Sequence, residues 1–298
     1  MEIVLTIITP TFNRAYTLKK CLDSLKRQQV FTFEWLIVDD GSTDNTEVIV
    51  NEWIKETKQF YIRYVKKENG GKASALNAAF TILRTPYACV LDSDDYLYDN
   101  AIDSFLKERV RSDKDDLCCG VMGLRHDEKG NIKGGEEIPT DSGRITMVDI
   151  LNKGIRTELF CFYKTSIISK MQFPLFPNEK FVSPQWLDFE LARNYYFIPS
   201  ADRYCVCSYI ADGLTRNKKK IVIKNPHGYT AVKRQSFEFS DSLALSIKHG
   251  IMYDCGCIIG KDHDWLSKSP KKLLTVILMP IAYMVYLFRY ANRGKKVK

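Results

Sequence analysis

Four short apolar runs, each closed by a polar or acidic step, divide the first 91 residues of the chain. Residues 3–8 lead into Thr9-Pro10-Thr11-Phe12-Asn13-Arg14, and Trp35-Leu36-Ile37-Val38 into Asp39-Asp40-Gly41-Ser42. Residues 60–65 alternate and reach Asn69-Gly70-Gly71, and residues 87–91 run into Asp92-Ser93-Asp94-Asp95. Short runs of this kind read as buried strands. Pro10 lacks the N–H a central ladder needs, so the first strand is expected to stop there. Between the runs, Leu18, Cys21, Leu22 and Leu25 recur at helical spacing, as do Val48, Ile49, Trp53 and Ile54, then Leu76, Ala79, Phe80 and Leu83. A further helix is expected over residues 100–111. Strand and helix alternating through short connections predict an α/β chain with a mostly parallel, Rossmann-like sheet flanked by helices.

Ligands of such sheets bind beyond the carboxyl ends of the strands. Thr9, Asp39/Asp40 and Asp92/Asp94 all fall just after strands, hence on one edge of one sheet. A single acidic triplet is commonly a solvated loop. Several acidic and polar strand exits aimed at one crevice form a site. Carboxylates this close repel one another unless a cation or donor sits between them. Hard divalent cations prefer oxygen ligands, which suits Asp92 and Asp94 to Mg²⁺ or Mn²⁺, with Asp95 as an alternative ligand.

Beyond Leu117 the pattern loosens. Residues 117–125, 158–163, 195–198 and 203–210 look like strands, residues 130–143 like a polar loop or hairpin, and residues 188–193 like a short helix. At 298 residues the chain has room for one large domain or two. The expected division is a catalytic domain over 1–215, with halves 1–111 and 112–215, and a helical C-terminal extension over 216–298. Charge follows the same division. Residues 215–298 hold 17 Lys/Arg against 5 Asp/Glu, leaving 27 against 31 in the rest. Residues 273–288 carry no charge and are flanked by Lys271, Lys272, Arg289, Arg293, Lys295, Lys296 and Lys298. The run is shorter than the ~20 residues of a spanning helix and contains Pro280. Its composition fits a segment lying on an anionic membrane surface; a helix packed on the domain is the other reading. Nucleic acid is not an expected partner, because no recognition motif accompanies the basic residues. The nine cysteines form no Cys-x-x-Cys pair and mostly sit in apolar runs. With no basic, apolar leader, they favour a reducing, cytoplasmic location on the inner face of the membrane.

Four motifs in order carry a resemblance to a known family: Thr9-Pro10-Thr11-Phe12-Asn13-Arg14, Val38-Asp39-Asp40-Gly41-Ser42-Thr43-Asp44, Gly70-Gly71-Lys72 with Ala75-Leu76-Asn77, and Leu91-Asp92-Ser93-Asp94-Asp95. The chain resembles the inverting glycosyltransferases of family 2, which have the GT-A fold, over roughly residues 1–215. The resemblance implies a nucleotide-sugar donor, most simply a UDP-sugar, a Mn²⁺ or Mg²⁺ ion, and a glycan or lipid-linked hydroxyl acceptor in bacterial cell-surface polysaccharide synthesis. It implies hexosyl or N-acetylhexosaminyl transfer. In the family, the aspartate at the position of Asp40 meets the base, Asp92 and Asp94 hold ribose and metal-diphosphate, and Lys72 lies near base or phosphate. Thr9, Pro10, Thr11, Asn13, Arg14, Asp39, Asn69, Asn77 and Ser93 complete the implied donor site.

Inverting transfer also needs a base for the acceptor hydroxyl. The family supplies the aspartate of a Glu-Asp pair after the acidic motif. Leu187-Asp188-Phe189-Glu190 resembles that pair, with Leu187 where glutamate is usual. Asp188 is the expected base and Glu190 the alternative. Two other readings stay open at this point, a catalytically degenerate nucleotide-binding scaffold and a sugar nucleotidyltransferase. The latter expects a Gly-rich loop ending in Arg after the first strand, which residues 9–14 do not provide.

Overall fold

Apolar side chains on both faces put β1 (Leu5–Thr11) and β2 (Phe33–Asp39) at the heart of a sheet, and every residue of both is buried. The computed structural model describes residues 2–208 and 218–291. The remaining strands are β3 (Tyr61–Lys66), β4 (Tyr87–Val90), β5 (Tyr96–Leu97), β6 (Cys118–His126), β7 (Leu159–Lys164) and β8 (Tyr196–Val206). They form one eight-stranded sheet in the order β3-β2-β1-β4-β7-β6-β8-β5. β1, β2, β3 and β4 pair in parallel, β7 runs antiparallel between β4 and β6, and β6 pairs in parallel with β8. Helices α1 (Ala15–Lys26), α2 (Thr46–Glu56), α3 (Lys72–Phe80) and α4 (Ala101–Ser112) follow β1, β2, β3 and β5. The expected mostly parallel sheet flanked by helices is present, and residues 1–111 form elements of the expected type and order.

Two expectations are corrected, and one strand was not foreseen. β1 does not stop before Pro10; it continues to Thr11, opposite Asp39. Ile8 O accepts Leu91 N, so alternation turns the missing N–H of Pro10 to the same side. Pairing with β4 has ended there, at Ile8 and Val90, and no ladder bond is lost. The strands expected at 195–198 and 203–210 are joined in β8. The polar step Ser200-Ala201-Asp202 breaks the apolar pattern without breaking the extended backbone, and irregularities in the β6–β8 register absorb it. β5, only two residues long, has no periodicity to reveal it.

The chain forms two compact units. The first is Met1–Thr146, Ile155–Phe173 and Leu191–Ile210, and holds the sheet. Its core includes Trp35, Phe33, Phe105, Phe162 and Tyr204, with the Phe105 and Phe162 rings stacked at 4.2 Å. All nine cysteines are buried with free thiols. The second unit is Met147–Gly154, Pro174–Glu190 and Ala211–Lys298. Helix α6 (Thr165–Ile168) belongs to the first unit, and the helices of the second include α5 (Met147–Asn152), α7 (Gln185–Leu191), α8 (Lys218–Lys224), α9 (Pro226–Phe239), α10 (Leu243–Gly260) and α11 (Lys272–Arg289). α9 and α10 pack closely because Gly256 faces Thr230; a Cβ there would lie 2.2 Å from Thr230 Oγ1. The composition step at 212–215, Arg216 and the basic residues after Arg289 lie outside the described residues.

Candidate functional site

The carboxyl ends of β1, β2 and β4 open on one edge, and the loop before α3 closes over it. Asp40, 4% exposed, organises that loop. Its carboxylate accepts hydrogen bonds from Gly70 N at 3.0 Å, Gly71 N at 2.6 Å and Lys67 Nζ at 2.9 Å. Asn69 Nδ2 donates to Asp40 O at 2.7 Å. Gly71 has φ +87° and immediately precedes α3, a backbone setting that suits glycine. Asp39 turns the other way. It accepts from Ser42 N at 2.7 Å and Tyr64 OH at 2.5 Å. Burial and the Asp39 carboxylate push the Tyr64 phenol well above its ordinary range.

Asn13 links the β1 and β2 exits. At φ +52° its Oδ1 accepts from Thr43 N at 2.8 Å and Asp44 N at 3.3 Å, while Asn13 N donates to Ser42 Oγ at 2.8 Å. Asp44 joins the starts of two helices by accepting from Ala15 N and Thr46 N, both at 3.1 Å. Burial works against its charge, but the bonds from Thr46 and Ala15 outweigh that and hold its carboxyl below the usual range. Thr9 is buried and accepts from Trp35 Nε1 at 2.8 Å. Thr11 Oγ1, also buried, has no hydrogen-bond partner among the described residues. Arg14 donates to Tyr16 OH at 2.8 Å.

The acidic triplet splits by role. Residues 92–95 form a turn closed by Asp95 N donating to Asp92 O at 3.0 Å. Asp92 lies between two cations, with Lys72 Nζ on Oδ1 and Arg125 Nη1 3.4 Å from Oδ2. Burial opposes its charge, but Lys72 and Arg125 prevail and hold its carboxyl below the usual range. Asp95 points inward, 4% exposed, and pairs with the same Arg125 nitrogen. Asp94 has no side-chain partner among the described residues. Burial and the repulsion of Asp92 raise its pKa. Arg125 is itself fixed, because Nε donates to Leu159 O at 2.9 Å and the guanidinium lies 5.6 Å from the Phe160 ring centre.

Asn77, expected at the donor, is occupied elsewhere. Its amide donates to Phe173 O at 2.9 Å and accepts from Phe173 N at 2.8 Å. Asp188 is buried in the first turn of α7, in the second unit. Leu187 and Phe189 are buried beside it, and Phe189 stacks on Phe239 at 6.0 Å. Glu190 accepts from Gln235 Nε2 at 2.6 Å. The sequence reading passed over Arg125. A charged residue near the end of the apolar strand Cys118–His126 was the available signal.

Comparison with known families places these motifs. The model described as Glycosyl transferase family 2 matches residues 6–171, more than half of the chain. The chain belongs to glycosyltransferase family 2. Over 108 residues it is 39% identical to chondroitin synthase of Pasteurella multocida (strain Pm70), covering 36% of this chain and 11% of that protein. Over 110 residues it is 38% identical to teichoic acid poly(glycerol phosphate) polymerase of Staphylococcus epidermidis, covering 37% and 15%. The matched family 2 region is thus a small part of the length of these relatives. Among solved structures, S. aureus TarS in complex with UDP-GlcNAc aligns with a TM-score of 0.54 at 16% identity, covering 96% of this chain and 92% of that one. Mannosyltransferase PcManGT from Pyrobaculum calidifontis in complex with GDP-Man and Mn²⁺ aligns at 0.55 and 17%, covering 96% and 81%. At such identities the likeness is one of fold, that of GT-A transferases.

Proposed function

We propose that this family 2 chain transfers a sugar from a nucleotide-sugar, a UDP-sugar, to a hydroxyl of a lipid-linked glycan, with inversion, in bacterial cell-surface polysaccharide synthesis. The transferred group is a hexosyl or N-acetylhexosaminyl unit. One observation carries the reading: Asp40 with its Gly70-Gly71 turn, Lys72 against Asp92, and Asp94 without a side-chain partner among the described residues share one sheet edge. The chondroitin synthase and the teichoic acid polymerase among the relatives and the nucleotide-sugar complexes among the fold neighbours support it.

The residues present fit a divalent cation. Asp94 offers a hard oxygen donor without a side-chain partner, and the charge repulsion it shares with Asp92 is what such a cation relieves. Asp94 would hold the ion with Asp92, and Asp95, turned inward to Arg125, takes no part. When bound, the ion supplies charge neutralisation to the leaving diphosphate. Lys72 adds a cation on the same edge, and Ser93 and Arg14 lie on the donor side. Asp40 orders the loop that carries Lys72 and meets the base, with Asn69, Asn13, Thr9, Pro10, Thr11 and Asp39 shaping the nucleoside side; Asn77 supports it through residue 173. Asp188 removes the acceptor proton. The test is UDP release from a panel of UDP-sugars with Mn²⁺ and candidate acceptors. Turnover by the native chain, lost in Asp188→Asn with UDP binding kept, is expected; UDP binding without turnover on any donor or acceptor overturns the enzymatic reading.

The acceptor side of the proposal is a membrane surface reached through α11. Among the described residues, α11 alone has the length and composition to cross a membrane. Thr275, Leu278 and Ala282 are buried, whereas Leu273, Ile277 and Phe288 are 76%, 60% and 82% exposed. An apolar face left in water between Lys272 and Arg289 suits an interfacial helix on anionic lipid. On this reading the chain works at the cytoplasmic face of the membrane.

A further inference from the structure

Lys72 is the first residue of α3, and the first turn of that helix contains no acidic residue. A helix N-terminus already carries partial positive charge, so a lysine there is unfavourable without an anion close by. The neighbouring N–H groups of Gly70 and Gly71 bond to Asp40, and the Lys72 ammonium takes Asp92 Oδ1. The two cations on Asp92 differ in how firmly they are held. Arg125 is tied to Leu159 O, Asp95 and the face of Phe160. Among the described residues Lys72 has Asp92 as its one ion-pair partner, and its side chain is 21% exposed.

This arrangement leaves little for a free metal ion. Asp92 and Asp95 are neutralised by Lys72 and Arg125, and Asp94 stands alone. Among the described residues, no three His, Cys, Asp or Glu side chains are grouped to hold a metal. A small divalent cation bound by one or two carboxylates needs further oxygens, and substrate phosphates are the usual source. A diphosphate is also the stronger anion for Lys72 and the α3 N-terminus.

We propose that Lys72 is an exchangeable counter-ion, paired with Asp92 in the nucleotide-free protein and transferred to the diphosphate when nucleotide and metal arrive together. The exchange frees an Asp92 oxygen for the metal only when phosphate oxygens are present to complete its shell. Metal binding is therefore conditional on nucleotide. This rests on the donor-site reading above.

The test measures Mn²⁺ binding to the full chain from the electron paramagnetic resonance signal of the free ion, with and without UDP. Native protein binds Mn²⁺ at least about tenfold more tightly with UDP present, equivalent to ~1.4 kcal/mol. Lys72→Met and Lys72→Gln, checked for native circular dichroism, shift two affinities in opposite directions. Mn²⁺ without UDP binds about tenfold more tightly than to native protein, and UDP without metal about tenfold more weakly, the same ~1.4 kcal/mol each. Lys72→Arg retains native behaviour in both. Unchanged or weaker Mn²⁺ binding in folded Lys72→Met and Lys72→Gln, with native UDP binding intact, overturns the exchange alone. Absence of UDP binding to native protein, with Mn²⁺ or without, overturns the donor site and the exchange with it.

Discussion

Arg125 Nη1 lies 3.4 Å from Asp92 Oδ2, joining the end of β6 to the exit of β4. The same nitrogen neutralises Asp95, which no water-filled surface serves, since it is 4% exposed. Arg125 thereby sets the direction of the acidic turn from behind. Removing one partner of a buried ion pair leaves the other uncompensated. Arg125→Ala should therefore destabilise the chain by about 3–5 kcal/mol, read from urea denaturation. Arg125→Lys keeps a charge but loses the bond to Leu159 O, and should fall between the two. An unchanged midpoint in Arg125→Ala would remove Arg125 from this role.

Asp40→Ala strands the N–H groups of Gly70 and Gly71 and takes the counter-charge from the Lys67 ammonium, which keeps Glu68 O. Each unsatisfied group costs about 1–3 kcal/mol when water cannot reach it. Thermal shift should show a lower melting temperature and no stabilisation by UDP. Asp40→Asn keeps the acceptor oxygen for one N–H and should recover part of the stability.

Asp254 on α10 is fully buried, and neither carboxylate oxygen has a hydrogen-bond partner among the described residues. Burial pushes its pKa up to about 7. The unfolded chain ionises this group near ~3.9. The folded state holds the extra proton, so the group's contribution is greatest below ~4 and is lost as pH rises to about 7. Asp254→Asn, which cannot ionise, should flatten this part of the stability profile and raise the melting temperature at pH 8. An identical fall from pH 4 to 7 in both proteins would assign the slope to other groups.

On α11, Ile277→Glu with Phe288→Glu alters exposed positions and leaves the face formed by Leu278 and Ala282 intact. Sedimentation with vesicles containing anionic lipid should be strong for native chain, weaker on neutral vesicles, and lost in the double variant. Deleting residues 268–298 should also move the chain to the soluble fraction. Equal sedimentation of native and double-variant chains would favour a packing role for the helix.

The sheet was legible because β1, β2 and β4 are buried on both faces, and unbroken apolar runs record that directly. Their acidic exits marked the edge where the site lies. What the sequence hid was who pairs with whom. The bonds from Gly70, Gly71 and Lys67 to Asp40 cross about thirty positions, and Arg125 reaches Asp92 from a strand with no motif of its own. Asn13 and Asn77 bear motif positions yet hold loops through their amides, a distinction that residue type cannot make. Pro10 misled because its effect depends on whether a neighbouring strand still runs beside it. In the second unit, Leu187 reads as a departure from the family pattern and is found as a core side chain beside Asp188.

Titration of UDP into native chain and Asp94→Ala, with Mn²⁺ and with EDTA, tests the donor site most directly. Calorimetry should show binding to native protein that strengthens with Mn²⁺, and in Asp94→Ala the Mn²⁺ enhancement should be gone. Identical Mn²⁺ enhancement in both proteins, or no UDP binding to either, would contradict a nucleotide-sugar site at the Asp92-Ser93-Asp94 turn.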